Sequence, residues 1–181
     1  MLKWKYEILL DLITKNDYRS YVEIGLGHGI TLKHLLSNIE DKYFVFYGID
    51  PFERYEGLHR KGLKHSESSF ENNKIETLEA SSDDRFVFYN EYSHDAVGRF
   101  ELGSVDLVFI DGNHTFKYVK QDIEDWYPIV SKGGILAGHD YYPSGRTHHY
   151  RQVGKAVEQF CKKNEIELLT ARDHVWYFYK K

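Results

Sequence analysis

The chain has 181 residues, 41% hydrophobic and 29% charged, with a formal net charge of −4. That length supports a sizeable core and is expected to form one domain over residues 1–181. The acidic balance argues against a nucleic-acid partner, and a single cysteine, Cys161, excludes an internal disulfide or a cysteine-rich zinc site. No apolar run approaches the roughly 20 residues that span a bilayer. The first residues lack the apolar core and cleavage site of a signal peptide. The expectation is a cytoplasmic protein with no membrane partner.

In chain order, Ile8, Leu9, Leu12 and Ile13 fall on one side of a helix over residues 2–15. Residues 21–24 read as a short strand, 31–38 as a crossover helix, and 44–49 as a second strand stopped at Asp50-Pro51. The polar stretch 54–69 has weak periodicity and reads as a connection or lid, with a helix over 70–78 after it. Residues 85–89 are a third strand and 95–100 a short helix. The apolar run 105–110, ending at Asp111-Gly112, is the clearest strand.

Val119, Ile123, Trp126 and Val130 then mark one face of a helix over 118–130, closed by Gly133-Gly134, before a strand over 135–137. Residues 141–150 read as a loop, 153–163 as a helix, and 167–169 with 175–179 as a closing pair of strands. This alternation predicts an α/β fold: a Rossmann-like, doubly wound sandwich whose sheet is mostly parallel, with one antiparallel strand near the C-terminus. Ligands in such sheets sit beyond the carboxyl ends of the strands, at the topological switch point. Glu23, Asp50, Glu91, Asp111 and Asp140 all stand at predicted strand ends, so the topology gathers five acids on one edge.

The stretch from Glu23 through Gly25, Gly27 and Gly29 is a strand end running into a tight, glycine-rich turn. Such a turn lets a ligand approach the main chain. A dinucleotide fingerprint needs G-x-G-x-x-G, but Ile30 stands where the third glycine belongs, and a pyrophosphate would face Glu23. A cofactor with a sulfonium and an amino-acid tail suits that acid better.

Together with Asp50, the turn resembles that of class I S-adenosylmethionine-dependent methyltransferases. The resemblance implies S-adenosylmethionine as cofactor. Gly25, Gly27 and Gly29 would lie along its methionine and ribose portions, Glu23 near the cationic tail, Asp50 on the ribose hydroxyls, and Pro51 and Phe52 beside adenine. Relatives carry an Asp-Ser pair at the adenine end. Here Glu91-Tyr92-Ser93 stands there, so Glu91 and Ser93 are both candidate adenine contacts, and Ser93 reads equally as the cap of the following helix.

A second constellation runs from Asp111-Gly112-Asn113-His114 to Gly138-His139-Asp140-Tyr141. It resembles the small-molecule and sugar O-methyltransferase branch, many members of which use a divalent metal. Methyl transfer is an in-line displacement on a good leaving group, so the protein must position and deprotonate the acceptor hydroxyl. The resemblance implies Mg²⁺ or Mn²⁺ on Asp111, His139 and Asp140, with Asp111 also facing the cofactor methyl. His114 would be the general base, since imidazole titrates near working pH, and His139 a ligand or second base.

The run 146–151, with two histidines and two arginines, reads as an acceptor-recognising loop or as a solvated one. Asp122, Glu124 and Asp125 read as a solvated helix face, Trp126 as core and Cys161 as a structural thiol. The expected partner is a small hydroxylated acceptor, and a second subunit in a homo-oligomer is one way to complete the pocket. The competing readings are an NAD(P)-dependent oxidoreductase, disfavoured by the missing third glycine, and a non-catalytic cofactor-binding module.

Overall fold

The computed structural model describes residues 4–53, 67–80, 82–143 and 151–181. Strands β1 (Ser20–Ile24), β2 (Val45–Ile49), β3 (Phe86–Tyr89), β4 (Val105–Ile110), β5 (Val130–Gly138), β6 (Leu169–Thr170) and β7 (Trp176–Tyr179) form one sheet. Their order is β3-β2-β1-β4-β5-β7-β6. Strands β1 to β5 pair in parallel. Strand β7 runs antiparallel to both β5 and β6 and so is the one reversed strand. The strand order reverses between β1 and β4, which is the switch point where α/β sheets open a crevice.

The helices are α1 (Lys5–Lys15), α2 (Ile30–Asn38), α3 (Glu67–Ala80), α4 (Ser93–Ala96), α5 (Phe116–Trp126) and α6 (Arg151–Lys163). The sheet separates two apolar layers. On one side, Leu9 of α1 and Leu32 and Leu35 of α2 pack on Tyr21, Phe46 and Phe109. On the other, Ile123 and Trp126 of α5 and Val157 and Cys161 of α6 pack on Val22, Val108 and Trp176. Successive strand residues such as Tyr21 and Val22, or Val108 and Phe109, therefore enter opposite cores, and a parallel sheet covered on both faces reads as an unbroken apolar run. Cys161 is buried, and burial pushes its thiol up to about 11, the behaviour of a packed and unreactive side chain.

Several boundaries differ from the sequence reading. Helix α5 ends at Trp126, and Val130 opens β5 instead of closing the helix. The apolar spacing runs through both elements, while Pro128 keeps the chain from continuing helically. Gly133 and Gly134 lie inside β5, not at a helix end. Gly133 has φ of +79°, and the pairing of β5 with β4 shifts register between Val105 and Leu107, the signature of a bulge. Helix α4 starts at Ser93, two residues before the expected position, and passes into a 3₁₀ turn over Val97–Arg99. The lid reading of 54–69 lies mostly outside the described residues, except for the start of α3. The loop reading of 144–150 also lies outside them, and of the run 146–151 only Arg151 is described, as the first residue of α6. Among the described residues, no helix is long and apolar enough to cross a membrane.

Candidate active site

The glycine turn after β1 is built against the end of β4. Gly25 has φ of +87°, and a Cβ there would stand 2.5 Å from the carbonyl oxygen of Asp111. The Asp111 amide donates to the carbonyl of Ile24 at 2.8 Å, so the two strand ends stay paired up to the turn. Both requirements, left-handed backbone and close approach, select glycine.

Asp50 organises this turn from the end of β2. Its Oδ2 accepts the amides of Leu26 at 2.9 Å and Gly27 at 3.2 Å, and its Oδ1 accepts the amide of Phe52 at 2.7 Å. Burial raises its pKa, and the three amide bonds partly offset that. Asn90, which the sequence reading missed, brackets the same corner. Its side-chain amide donates to the carbonyls of Asp50 at 3.0 Å and Pro51 at 2.9 Å. Phe52 is buried with φ of +51°, and its ring centroid lies 5.9 Å from that of Phe88.

Glu23 is 1% exposed, and the hydroxyl of Tyr21 donates to it at 3.1 Å. Burial pushes its carboxyl up to about 8, although the nearby Lys5 ammonium pulls the other way. At neutral pH this acid is mostly protonated, so it offers a hydrogen bond and not a charge at the end of β1.

The adenine-end candidates have other partners. Glu91 is ion-paired with Arg99, whose Nε donates to it at 3.0 Å. The hydroxyl of Ser93 donates to Asp122 of α5. Tyr92, not Ser93, is the N-cap residue of α4, so the capping reading gives way. Asp122 is 5% exposed and burial pushes it up to about 7, which corrects its reading as part of a solvated face. Glu124 is exposed as expected, Asp125 is half-buried and Trp126 is fully buried.

The second constellation assembles as one cluster past the ends of β4 and β5. His114 Nε2 lies 2.8 Å from Asp140 Oδ2 and 3.5 Å from Asp111 Oδ1. His139 Nδ1 lies 3.6 Å from Asp111 Oδ1 and 3.6 Å from Asp140 Oδ2. Asp140 holds φ of +55°, a left-handed conformation that aspartate tolerates better than most residues.

Two members were not legible as site residues. The ammonium of Lys5, at the start of α1, is ion-paired with Asp111 Oδ2. Asp173, in the turn between β6 and β7, accepts the Lys5 amide at 2.8 Å and lies 3.9 Å from His139 Nε2. Lys5 left a signal, since it shares the stripe Ile8-Leu9-Leu12 on which an apolar residue is expected. Asp173 left none.

The charges in this cluster reinforce one another. Burial alone would lower the imidazole of His114, but Asp111 and Asp140 outweigh it and raise His114 to about 9. His139 is raised in the same way by Asp140 and Asp111, against burial and Lys5. Burial opposes ionisation of Asp111 and Asp140 as well, yet their cationic neighbours hold both below the usual carboxylate range.

Known proteins share the family and the fold of this chain. Residues 22–141 match a family described as a methyltransferase domain. An uncharacterised protein of Acanthamoeba polyphaga mimivirus is 28% identical over 138 residues, covering 75% of this chain. The chain spans 57% of the length of that curated relative. Among solved structures, the O-methyltransferase NovP superposes with a TM-score of 0.67 at 16% identity, over 97% of this chain and 78% of that one. An O-methyltransferase from Bacillus cereus, in complex with S-adenosylhomocysteine, superposes with a TM-score of 0.65 at 12% identity, over 97% and 80%. The chain belongs to the methyltransferase-domain family, built on the class I fold of S-adenosylmethionine-dependent enzymes.

Proposed function

We propose that this protein transfers the methyl group of S-adenosylmethionine to a hydroxyl of a small molecule, a sugar being one candidate, with help from a divalent ion. The observation that carries this reading is the seating of Gly25 on the Asp111 backbone. It sets the glycine turn beside the Asp111, His114, His139 and Asp140 cluster across the switch point, which supports a cofactor bound between them. The Bacillus cereus neighbour is in complex with the demethylated cofactor, and sheets of this kind bind ligands beyond the carboxyl ends of their strands, which supports this reading.

Two of the three donors, the Asp111 and Asp140 carboxylates, are of the type that Mg²⁺ and Mn²⁺ favour, while the His139 imidazole suits softer ions. One ligand atom from each of Asp111, His139 and Asp140 lies within 4.8 Å of the others, and His139 Nδ1 is 3.6 Å from both carboxylates. Neighbouring ligands around one such ion, with bonds of about 2.1 Å, stand roughly 3 Å apart. When bound, the ion would lower the pKa of the acceptor hydroxyl and orient it.

Bound S-adenosylmethionine would supply the methyl carbon and a sulfonium leaving group that keeps the electron pair of its carbon–sulfur bond. The part of His114 would be to take the proton of the acceptor hydroxyl as that oxygen gains the methyl group. Only the neutral imidazole can take that proton, and His114 titrates at about 9 in this cluster. That value belongs to the cluster without an ion; a divalent cation on Asp111 and Asp140 would offset the charges that raise it and leave more of the imidazole neutral.

Titration calorimetry with S-adenosylmethionine and with NAD tests the cofactor. The expected result is binding of the first alone, and tighter binding of NAD would sink the reading. Chelation with EDTA tests the metal. Activity should fall and return with Mg²⁺ or Mn²⁺, whereas full turnover in chelator rejects metal assistance while leaving methyl transfer intact.

A further inference from the structure

Lys5, like its partner Asp173, is a feature of this site that the proposed chemistry does not use. We propose that its ammonium is a resident cation of the acidic cluster, beside the imidazoles of His114 and His139, and competes with a divalent ion for Asp111, so that the start of α1 tunes the metal affinity of the site. The inference rests on the metal-assisted reading above.

Geometry carries it. The two oxygens of Asp111 are divided between two kinds of partner. Oδ2 holds the Lys5 ammonium, while Oδ1 faces His139 at 3.6 Å and His114 at 3.5 Å. Lys5 is also fixed at its backbone, where its amide donates to Asp173 at 2.8 Å. Its side chain is one-quarter exposed, and its ammonium stands 5.9 Å from the centre of the Phe109 ring. The contact is thus anchored from α1, β4 and the β6–β7 turn, unlike that of a free surface lysine.

A divalent ion on Asp111 would sit beside this ammonium, and two cations a few ångströms apart repel strongly where water is largely excluded. The ion binds only if the ammonium swings off the carboxylate or the two share it at a cost in affinity. Either way, deleting the ammonium should tighten metal binding, and keeping a cation at residue 5 should not.

The experiment is calorimetric titration of Mn²⁺ alone into the wild-type chain, Lys5→Met and Lys5→Arg. S-adenosylmethionine binding is measured in parallel on each. Lys5→Met should bind Mn²⁺ at least tenfold more tightly than wild type, while Lys5→Arg should stay close to it. Equal or weaker Mn²⁺ binding by Lys5→Met overturns the proposal. If no protein takes up Mn²⁺ while S-adenosylmethionine still binds, the metal-assisted reading falls with it. If wild type and Lys5→Met bind Mn²⁺ equally, only the role of Lys5 falls. Should Lys5→Met lose S-adenosylmethionine binding through misfolding, Lys5→Gln, which keeps a polar head at the same place, decides by the same comparison.

Discussion

His114 is held between two carboxylates, and this neighbourhood decides both its protonation and its use. Replacing it with Ala should leave S-adenosylmethionine binding intact and reduce turnover by about 10²–10⁴-fold, the usual worth of a positioned base. Unchanged turnover removes His114 from that role. The same pKa has a consequence for stability. Its folded value of about 9 lies above the ordinary 6.5, so the ion pairs of His114 stabilise the fold fully below pH 6.5 and lose that effect as the pH rises through 9. The destabilisation caused by His114→Ala, measured by urea unfolding, should therefore be larger at pH 6 than at pH 10.

Glu23 shifts stability in the same direction with pH, for a different reason: its charged form is the one that burial disfavours. Its folded value of about 8 exceeds the ordinary 4.5, so the unfolded chain ionises first and the wild type loses stability between those values. Glu23→Gln, which cannot ionise, should gain stability relative to wild type on going from pH 5 to pH 8. A difference that stays constant across that range would show that the buried carboxyl is not neutral. The sequence identified both residues as functional candidates because their types and strand-end positions are local facts. Their charge states were not legible, since each is set by groups that arrive from other elements.

At the scale of elements, the turn after β1 depends on its contact with the end of β4. Gly25→Ala would combine a left-handed φ of +87° with a Cβ 2.5 Å from a backbone oxygen. The strain should cost about 1–3 kcal/mol or more, and S-adenosylmethionine binding should weaken sharply in calorimetry. Normal binding would mean that the turn can be reshaped without loss.

Helices α4 and α5 are linked by Ser93 and the buried Asp122. Ser93→Ala leaves that carboxyl without its donor and should destabilise the protein by about 1–3 kcal/mol, read in denaturant melts. An unchanged midpoint would dissolve the link. Most elements were legible from periodicity, and β4 was found residue for residue because a short apolar run between turn signals has few competing readings. The end of α5 was not, because Trp126 and Val130 fit one helical face as well as they fit a helix followed by a strand. A stretch that changes element without changing apolar spacing carries no local mark of the change.

At the scale of the whole molecule, the reversed strand β7 enters between β5 and β6 and brings the β6–β7 turn over the cluster. Asp173 in that turn meets the Lys5 amide across a sequence separation of 168 residues. Binding of the proposed cofactor to the folded form should stabilise the entire domain by mass action. At about 100 times its dissociation constant, S-adenosylmethionine adds roughly 2.7 kcal/mol and should raise the melting midpoint by roughly 5–10 °C. No rise at saturation, with the protein folded, would argue that the turn does not bind it.

The α/β class, the glycine turn, and the acids and histidines at the strand ends were determined by the sequence alone. Each is written in residue type and short-range spacing, and parallel strands bring their carboxyl ends to one edge whatever fills the core. The tertiary structure alone decided that Asp50 braces the turn, that Glu23 and Asp122 are buried, and that Lys5 and Asp173 complete the cluster. Burial and ion pairing depend on which distant segments meet, and such meetings are fixed by packing across the sheet, which leaves no period in the chain.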